Sequence, residues 1–319
     1  MTESSSGRVA ERKKHSFLVD AGIRLVKEKP LGTVGAIIAI LMLFTGIFAN
    51  FIAPYGANEA FLSSALSGPS AQFWLGTDNI GRDMLSRVIF GARISVIVGL
   101  VATTIATIVS LIIGILSGYI GGKFDLIVQR FVDAVMCLPG LILLITIVAM
   151  VGAGMWNLIF ILGITWGIGG SRVMRSAVMA IKENVYVEAA EAIGCSTPRI
   201  LTRHILPNIM APTIITFTVN VPAIILTEAS LSFLGYGIPP PHPSWGGMLG
   251  QVGRDFMFLN PYMIIWPGLA LAIVVYGVNM FGDAVRDLLD PRLRGGVGRY
   301  GVRVKKEAKV KREPSSPPQ

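Results

Sequence analysis

Five long, mainly apolar stretches of this chain contain no Asp, Glu, Lys or Arg: residues 31–58, 94–122, 134–171, 205–227 and 256–282. A helix needs about 20 mainly apolar residues to cross roughly 30 Å of hydrocarbon, and only helices or closed barrels satisfy their own backbone there. Windows this long predict an all-α, polytopic membrane protein. The third, at 38 residues, would make a single helix of about 57 Å. Its "VGAGMWN" (151–157) places two glycines where a tight reversal is needed. Splitting it into 134–150 and 155–170 gives six transmembrane helices.

The bulk composition agrees. With 52% hydrophobic and 15% charged residues, the chain is too apolar for an ordinary soluble domain. Its net charge of +9 could suggest nucleic acid, but the basic residues stand in blocks beside apolar spans without any nucleic-acid-binding motif. Successive loops, taken alternately, carry 24 and 4 of the 28 Lys and Arg. By the positive-inside rule both termini and the loop at about 171–208 are cytoplasmic. The first span reads as an uncleaved anchor, because about 30 residues precede it and it exceeds the apolar core of a signal peptide.

The expected organisation has four parts. Residues 1–30 form a basic cytoplasmic segment, and 31–93 hold the first span and an outer loop. Residues 94–282 form the core with five spans, and 283–319 a basic cytoplasmic tail. The polar ends, "MTESSSGRVAERKK" and "RVKKEAKVKREPSSPPQ", cannot bury a core and are expected to lie disordered against anionic lipid. Cys137 and Cys195 have no metal-ligand or disulfide spacing and read as packing residues.

Gly114, Gly118 and Gly122 fall four apart, as do Gly163 and Gly167. Small residues at that spacing line one helix face and let another backbone approach, here within the same subunit. The spans hold no ionisable group, as an ion-gradient-driven carrier acting alone would need. Asn220 and Glu228 are the candidates for a polar substrate pathway. The competing reading, which the sequence favours, has Asn220 bonding a neighbouring helix and Glu228 at the outer interface. No nucleophile, acid–base pair or metal-ligand motif offers catalysis, so catalytic and metal residues are predicted to be none. "SGYIGGKF" (117–124) lacks the first glycine and the Ser/Thr of a phosphate loop.

The most informative phrase is "EAAEAIGCSTPRILTRHILPN" (188–208). At 100° per residue Tyr186, Ala189, Ala190 and Ile193 share one face, opposite Glu188 and Glu191. Gly194 supplies the left-handed residue that stops this helix. Ser196 or Thr197 then caps a second one, with Pro198 in its first turn. Ile200, Leu201, His204 and Ile205 form its apolar side, and Arg199, Thr202 and Arg203 its polar side. The product is a rigid inner-side hairpin rooted in spans at both ends. Its flat, acid-flanked face suits a protein partner better than an anionic leaflet.

"EAAEAIG" followed by "RHILPN" resembles the EAA motif of ABC importer permeases. "LGTDNIGRDMLSRVIFGARIS" (75–95), "YVEAAEAIG" (186–194), "EASLSFLGYGIPPPHPSWGGML" (228–249) and "GDAVRDLLDPR" (282–292) extend the likeness over about 31–294. Together they are similar to the dipeptide/oligopeptide/nickel permeases, C-type subunit. The resemblance implies a type I ABC importer in a prokaryotic cell membrane. Such an importer has two homologous six-span permeases, two ATPase subunits that hold the ATP and Mg, and an extracytoplasmic substrate-binding protein. By motif position Glu188, Ala189, Ala190 and Gly194 would dock in the ATPase, and Tyr186 and Pro198 complete the candidate coupling set. The family default cargo is a short peptide. Nickel chelates, opines, glutathione and oligosaccharides use similar permeases.

Overall fold

A computed structural model describes residues 17–289. The polar end segments expected to contact lipid, 1–14 and 303–319, lie outside the described residues. A short amphipathic helix, α1 (Phe17–Glu28), leads into α2 (Pro30–Ile47), whose first turn holds Pro30. At Phe48 the chain breaks and restarts as α3 (Ala49–Ile52). A loop without regular helix or strand follows to Asp83, closed by a bridge between Thr77 and Asp83 and by backbone bonds from Phe61, Leu62 and Leu66 to Ile80, Gly81 and Asp78.

Asp83 then caps α4 (Met84–Ile120), accepting from the Ser86 backbone N–H at 2.8 Å. At 37 residues this helix is about 56 Å long and outreaches a bilayer. It ends at Gly121, whose φ of +69° only glycine adopts without strain. The chain continues as α5 (Gly122–Met136) and α6 (Gly140–Val151), reverses at Gly152–Gly154, and returns as α7 (Met155–Lys182). The hairpin comprises α8 (Val185–Ala192) and α9 (Thr197–Ile200). Beyond it come α10 (Met210–Phe233), the short α11 (Trp245–Leu249) and α12 (Gln251–Phe256), and the final α13 (Tyr262–Leu289).

Among the described residues five helical stretches are long and apolar enough to cross a membrane, and a sixth arises if α5 and α6 count as one broken span. Here the sequence expectation needs correction. A straight crossing over 134–150 is not what forms: its first residues belong to amphipathic α5, and the axis turns by 89° before α6. Pro139 cannot donate to a continuing helix, so the bend falls there. With 12 residues, α6 spans only about 18 Å.

The centre of the molecule is the α4–α7 pair, and its glycines work reciprocally. A Cβ on Gly114 would sit 2.5 Å from Met174 Cβ, and one on Gly118 3.1 Å from Val178 Cβ. On the other helix a Cβ on Gly163 would meet Ile105 Cβ at 2.7 Å, and one on Gly167 would meet Val109 Cβ at 2.6 Å. Each helix thus offers glycines to the other's bulkier residues, at opposite ends of one interface. Gly122 takes no part. It has φ +56° and no neighbour within 4 Å, so it is a turn residue opening α5, not the packing residue its spacing suggested. The α2–α13 pair uses the same device, with Gly277 under Ile38 and Gly35 under the Gly277 carbonyl. Lys29 joins these helices at one end by pairing with Asp287 at 2.5 Å.

Candidate functional site

The hairpin is built from its turn outward. Gly194 has φ +80°. Its N–H donates to the Glu191 carbonyl at 3.0 Å, and the next N–H, of Cys195, donates to the Ala190 carbonyl at 3.0 Å. This pair of bonds is the Schellman closure that left-handed glycine permits. Ser196 holds the N-cap position of α9 but makes no side-chain cap bond, and Pro198 sits in the first turn. The helix then loosens into a π turn over Leu201–Ile205 and a 3-10 turn over Leu206–Ile209 around Pro207 before α10 begins. Pro207 lacks an N–H for the regular ladder, which accounts for the change of pitch.

One side of the hairpin is locked onto its own spans. Val187, Ala190, Ile200, Ile205 and Ile209 are buried in a cluster with Val178 of α7, and Leu111 and Ile115 of α4 pack against it. The opposite side is open: Val185, Tyr186 and Ile193 are exposed large apolar residues, and Glu188 and Ala189 lie exposed among them. Ala190 therefore differs from the sequence expectation. It is 5% exposed and faces inward beside Val187, so it packs the hairpin against the spans and leaves no surface for a partner. Tyr186, Glu188, Ala189, Gly194 and Pro198 are exposed.

Polar contacts that sequence reading missed tie the hairpin to α4 and lock α4, α5 and α7 to one another. Tyr119 donates its hydroxyl to Glu191 at 3.0 Å, and Lys182 donates to the Tyr119 carbonyl at 2.7 Å while lying over its ring. Nearby, Arg175 of α7 grips Asp125 of α5, with its Nε at 2.6 Å, and Ser117 of α4 donates to the same carboxylate. Arg172 likewise pairs with Asp133. The only sequence signal for these was the charge itself: residues so close to apolar spans need partners.

A second feature lies between α6, α7 and α10. A cavity of about 480 Å³ is lined by Asn220, Thr165, Thr216 and Thr227, by Trp166, and by Gly169 and Gly170. Leu141, Leu144 and Val173 also line it, and the wall is uncharged and mostly apolar with a few hydrogen-bonding side chains. Asn220 thus lies on a cavity rather than against a neighbouring helix. Glu228 does neither of the things considered for it. At 1% exposed it touches neither the cavity nor solvent, and it accepts a bond from Ser232 at 2.6 Å. Removal from the candidate pathway follows, since a wholly buried carboxyl cannot meet cargo.

Residues 110–295 match the family of binding-protein-dependent transport system inner membrane components. The glutathione transport system permease protein GsiD of Escherichia coli is 38% identical over 273 residues, covering 85% of this chain and 90% of that protein. The protein of the same name from Shigella boydii matches to the same extent. Among solved structures, a chain of the inward-facing MetNI methionine ABC transporter superposes with a TM-score of 0.54 at 19% identity. That match covers 65% of this chain and 98% of the other, and it shows the shared fold. The helical core, the hairpin between α7 and α10 and these likenesses agree: this chain belongs to the binding-protein-dependent inner-membrane transport components and is an ABC importer permease of type I fold.

Proposed function

We propose that this permease moves short peptides into the cell, and that the hairpin from α8 to α9 transmits the stroke of a separate ATPase. The observation that carries the coupling role is the two-sidedness of the hairpin. Its inner side is buried against α4 and α7, while Val185, Tyr186, Glu188, Ala189 and Ile193 stay uncovered. An element rigid towards its own spans and bare towards the cytoplasm is suited to pass a displacement inward.

In this reading a second homologous permease completes the pathway. Two ATPase subunits bind ATP and Mg, and an extracytoplasmic binding protein delivers cargo. ATP-driven closure of the ATPases carries the hairpins together and tips the attached spans from inward-open to outward-open. Short peptides are supported by the relatives named for glutathione transport, itself a tripeptide. The uncharged, mostly apolar wall around Asn220, with Thr165, Thr216 and Thr227 as its other hydrogen-bonding groups, can serve apolar side chains and peptide groups without trapping them by charge.

The test is uptake of labelled glutathione and dipeptides into vesicles holding the whole importer, comparing Glu188→Lys with wild type. The expected result is normal membrane insertion and basal ATP hydrolysis with uptake lowered at least tenfold. Unchanged uptake at equal protein level would remove the coupling role, and absence of uptake of every peptide by the wild type would remove the cargo class.

A further inference from the structure

At the end of α4 and α10 away from the hairpin, a second cavity of about 320 Å³ is walled by Asp78, Asn79, Arg82, Arg87 and the Pro239–Pro240 turn. The charge balance there is uneven. Two guanidinium groups line the space with one carboxylate, and Asp78 is already engaged. It accepts from the backbone N–H groups of Ile80 at 3.0 Å and Arg82 at 2.9 Å, and from Arg82 Nε at 2.5 Å.

Arg87 Nε stands 3.6 Å from Asp78, beyond hydrogen-bond reach, and one of its Nη atoms donates to the Ala57 carbonyl at 3.2 Å. Asp83 is taken up by Ser86, Glu59 accepts from the Gly56 N–H at 3.0 Å, and neither lines the cavity. Glu228 bonds Ser232 and does not line it either. Each guanidinium carries five N–H donors. Among the described residues Arg82 and Arg87 each make one side-chain hydrogen bond, so most of their donors remain free.

These side chains are only 15% and 10% exposed. Surplus charge held so far out of water is costly unless an anion meets it. On the same wall Asn79 Oδ1 is buried without a hydrogen-bond partner, an acceptor waiting for an N–H. The demand is for a carboxylate with an N–H beside it, which is the chemistry of an acidic residue on a loop.

We infer that this cavity receives an Asp or Glu side chain of the binding protein, its carboxylate spanning Arg82 and Arg87 and a nearby N–H meeting Asn79. The inference rests on the importer reading, which supplies that partner. A protein partner fits better than cargo because the cavity shares no lining residue with the Asn220 cavity. Outer segments are also poor in positive charge, with four Lys or Arg in all, and two of them are here.

The experiment is ATP hydrolysis by the reconstituted importer, titrated with its binding protein at about 0.1 and 0.5 M salt, where ionic screening differs strongly. Arg82→Gln is expected to leave basal and maximal rates unchanged, to raise the half-stimulating concentration about tenfold, and to flatten its salt dependence. Arg82→Lys should recover part of the shift. If Arg82→Gln lowers yield, Asn79→Asp, which sets a competing acid on the wall, should weaken stimulation in the same direction. An unchanged half-stimulating concentration with unchanged salt dependence would overturn the inference. So would a defect seen for free-acid peptides and absent for their C-terminal amides, since that assigns the pocket to cargo. A wild-type importer that its binding protein never stimulates would instead refute the importer reading.

Discussion

The hydroxyl of Tyr119, in the last turn of α4, donates to the carboxylate of Glu191 on α8 at 3.0 Å. Seventy-two positions apart in sequence, these residues join the longest membrane helix directly to the hairpin. Because the contact is exposed, its net worth is on the order of 0.5–1.5 kcal/mol. Tyr119→Phe is therefore expected to reduce peptide uptake about two- to tenfold without lowering membrane yield. Vesicle uptake normalised to protein level checks this, and loss of yield would mean that the bond serves folding instead.

Ala189 and Ala190 are neighbours with opposite surroundings, one exposed and one buried at 5%. Ala190→Trp would force a large ring into the cluster around Val187 and Ile205, at about 1–3 kcal/mol or more, and should lower thermal stability and yield. Ala189→Trp should leave stability within about 0.5 kcal/mol of wild type while cutting uptake. Paired melting and uptake measurements separate the two outcomes.

The glycines of the central helix pair also divide. Gly114→Leu meets Met174 Cβ and the Arg175 backbone, so it should cost about 1–3 kcal/mol by overpacking and depress the melting temperature in detergent. Gly122→Ala meets nothing within 4 Å but occupies φ +56°. Its cost is limited to the left-handed backbone, about 1–2 kcal/mol. A melting series that includes Gly122→Asn, which tolerates that conformation better, should show partial recovery there.

Asn220 gives the test of the membrane cavity. Asn220→Leu keeps the branched side-chain shape and removes the amide, so the maximal rate of peptide uptake should fall several-fold. ATP hydrolysis stimulated by the binding protein should persist, because the hairpin and the outer surface are untouched. Measuring both rates on one preparation decides whether Asn220 lies on the route of the cargo.

Much of this architecture is legible in the sequence, because about 20 residues that are both charge-free and mainly apolar leave few alternatives to a lipid-facing helix. The reversal at Gly152 and the hairpin stop at Gly194 were equally plain, since each requires a backbone only glycine takes readily. The break at Pro139 was missed because apolarity runs through it. The Leu-Pro-Gly turn signal was present, but composition on both sides outweighed it.

Ala190 was misplaced for a different reason. At 100° per residue it lies about 40° from Tyr186, so an amphipathic arc includes both. Where the arc meets the spans is set by Val178, Leu111 and Ile115, residues far away in sequence. Glu228 shows the same limit: its burial depends on Ser232 and on the fold of the loop beyond it.

The uninterrupted length of α4 has a consequence for timing. Arg87 stands near its first turn and Tyr119 near its last, about 48 Å apart at 1.5 Å per residue. No proline or glycine break divides them into separately moving halves. News of a loaded receptor arriving above the membrane, and the pull of nucleotide closure below it, would then travel along one unjointed shaft. Neither event could proceed far without being sensed at the other end.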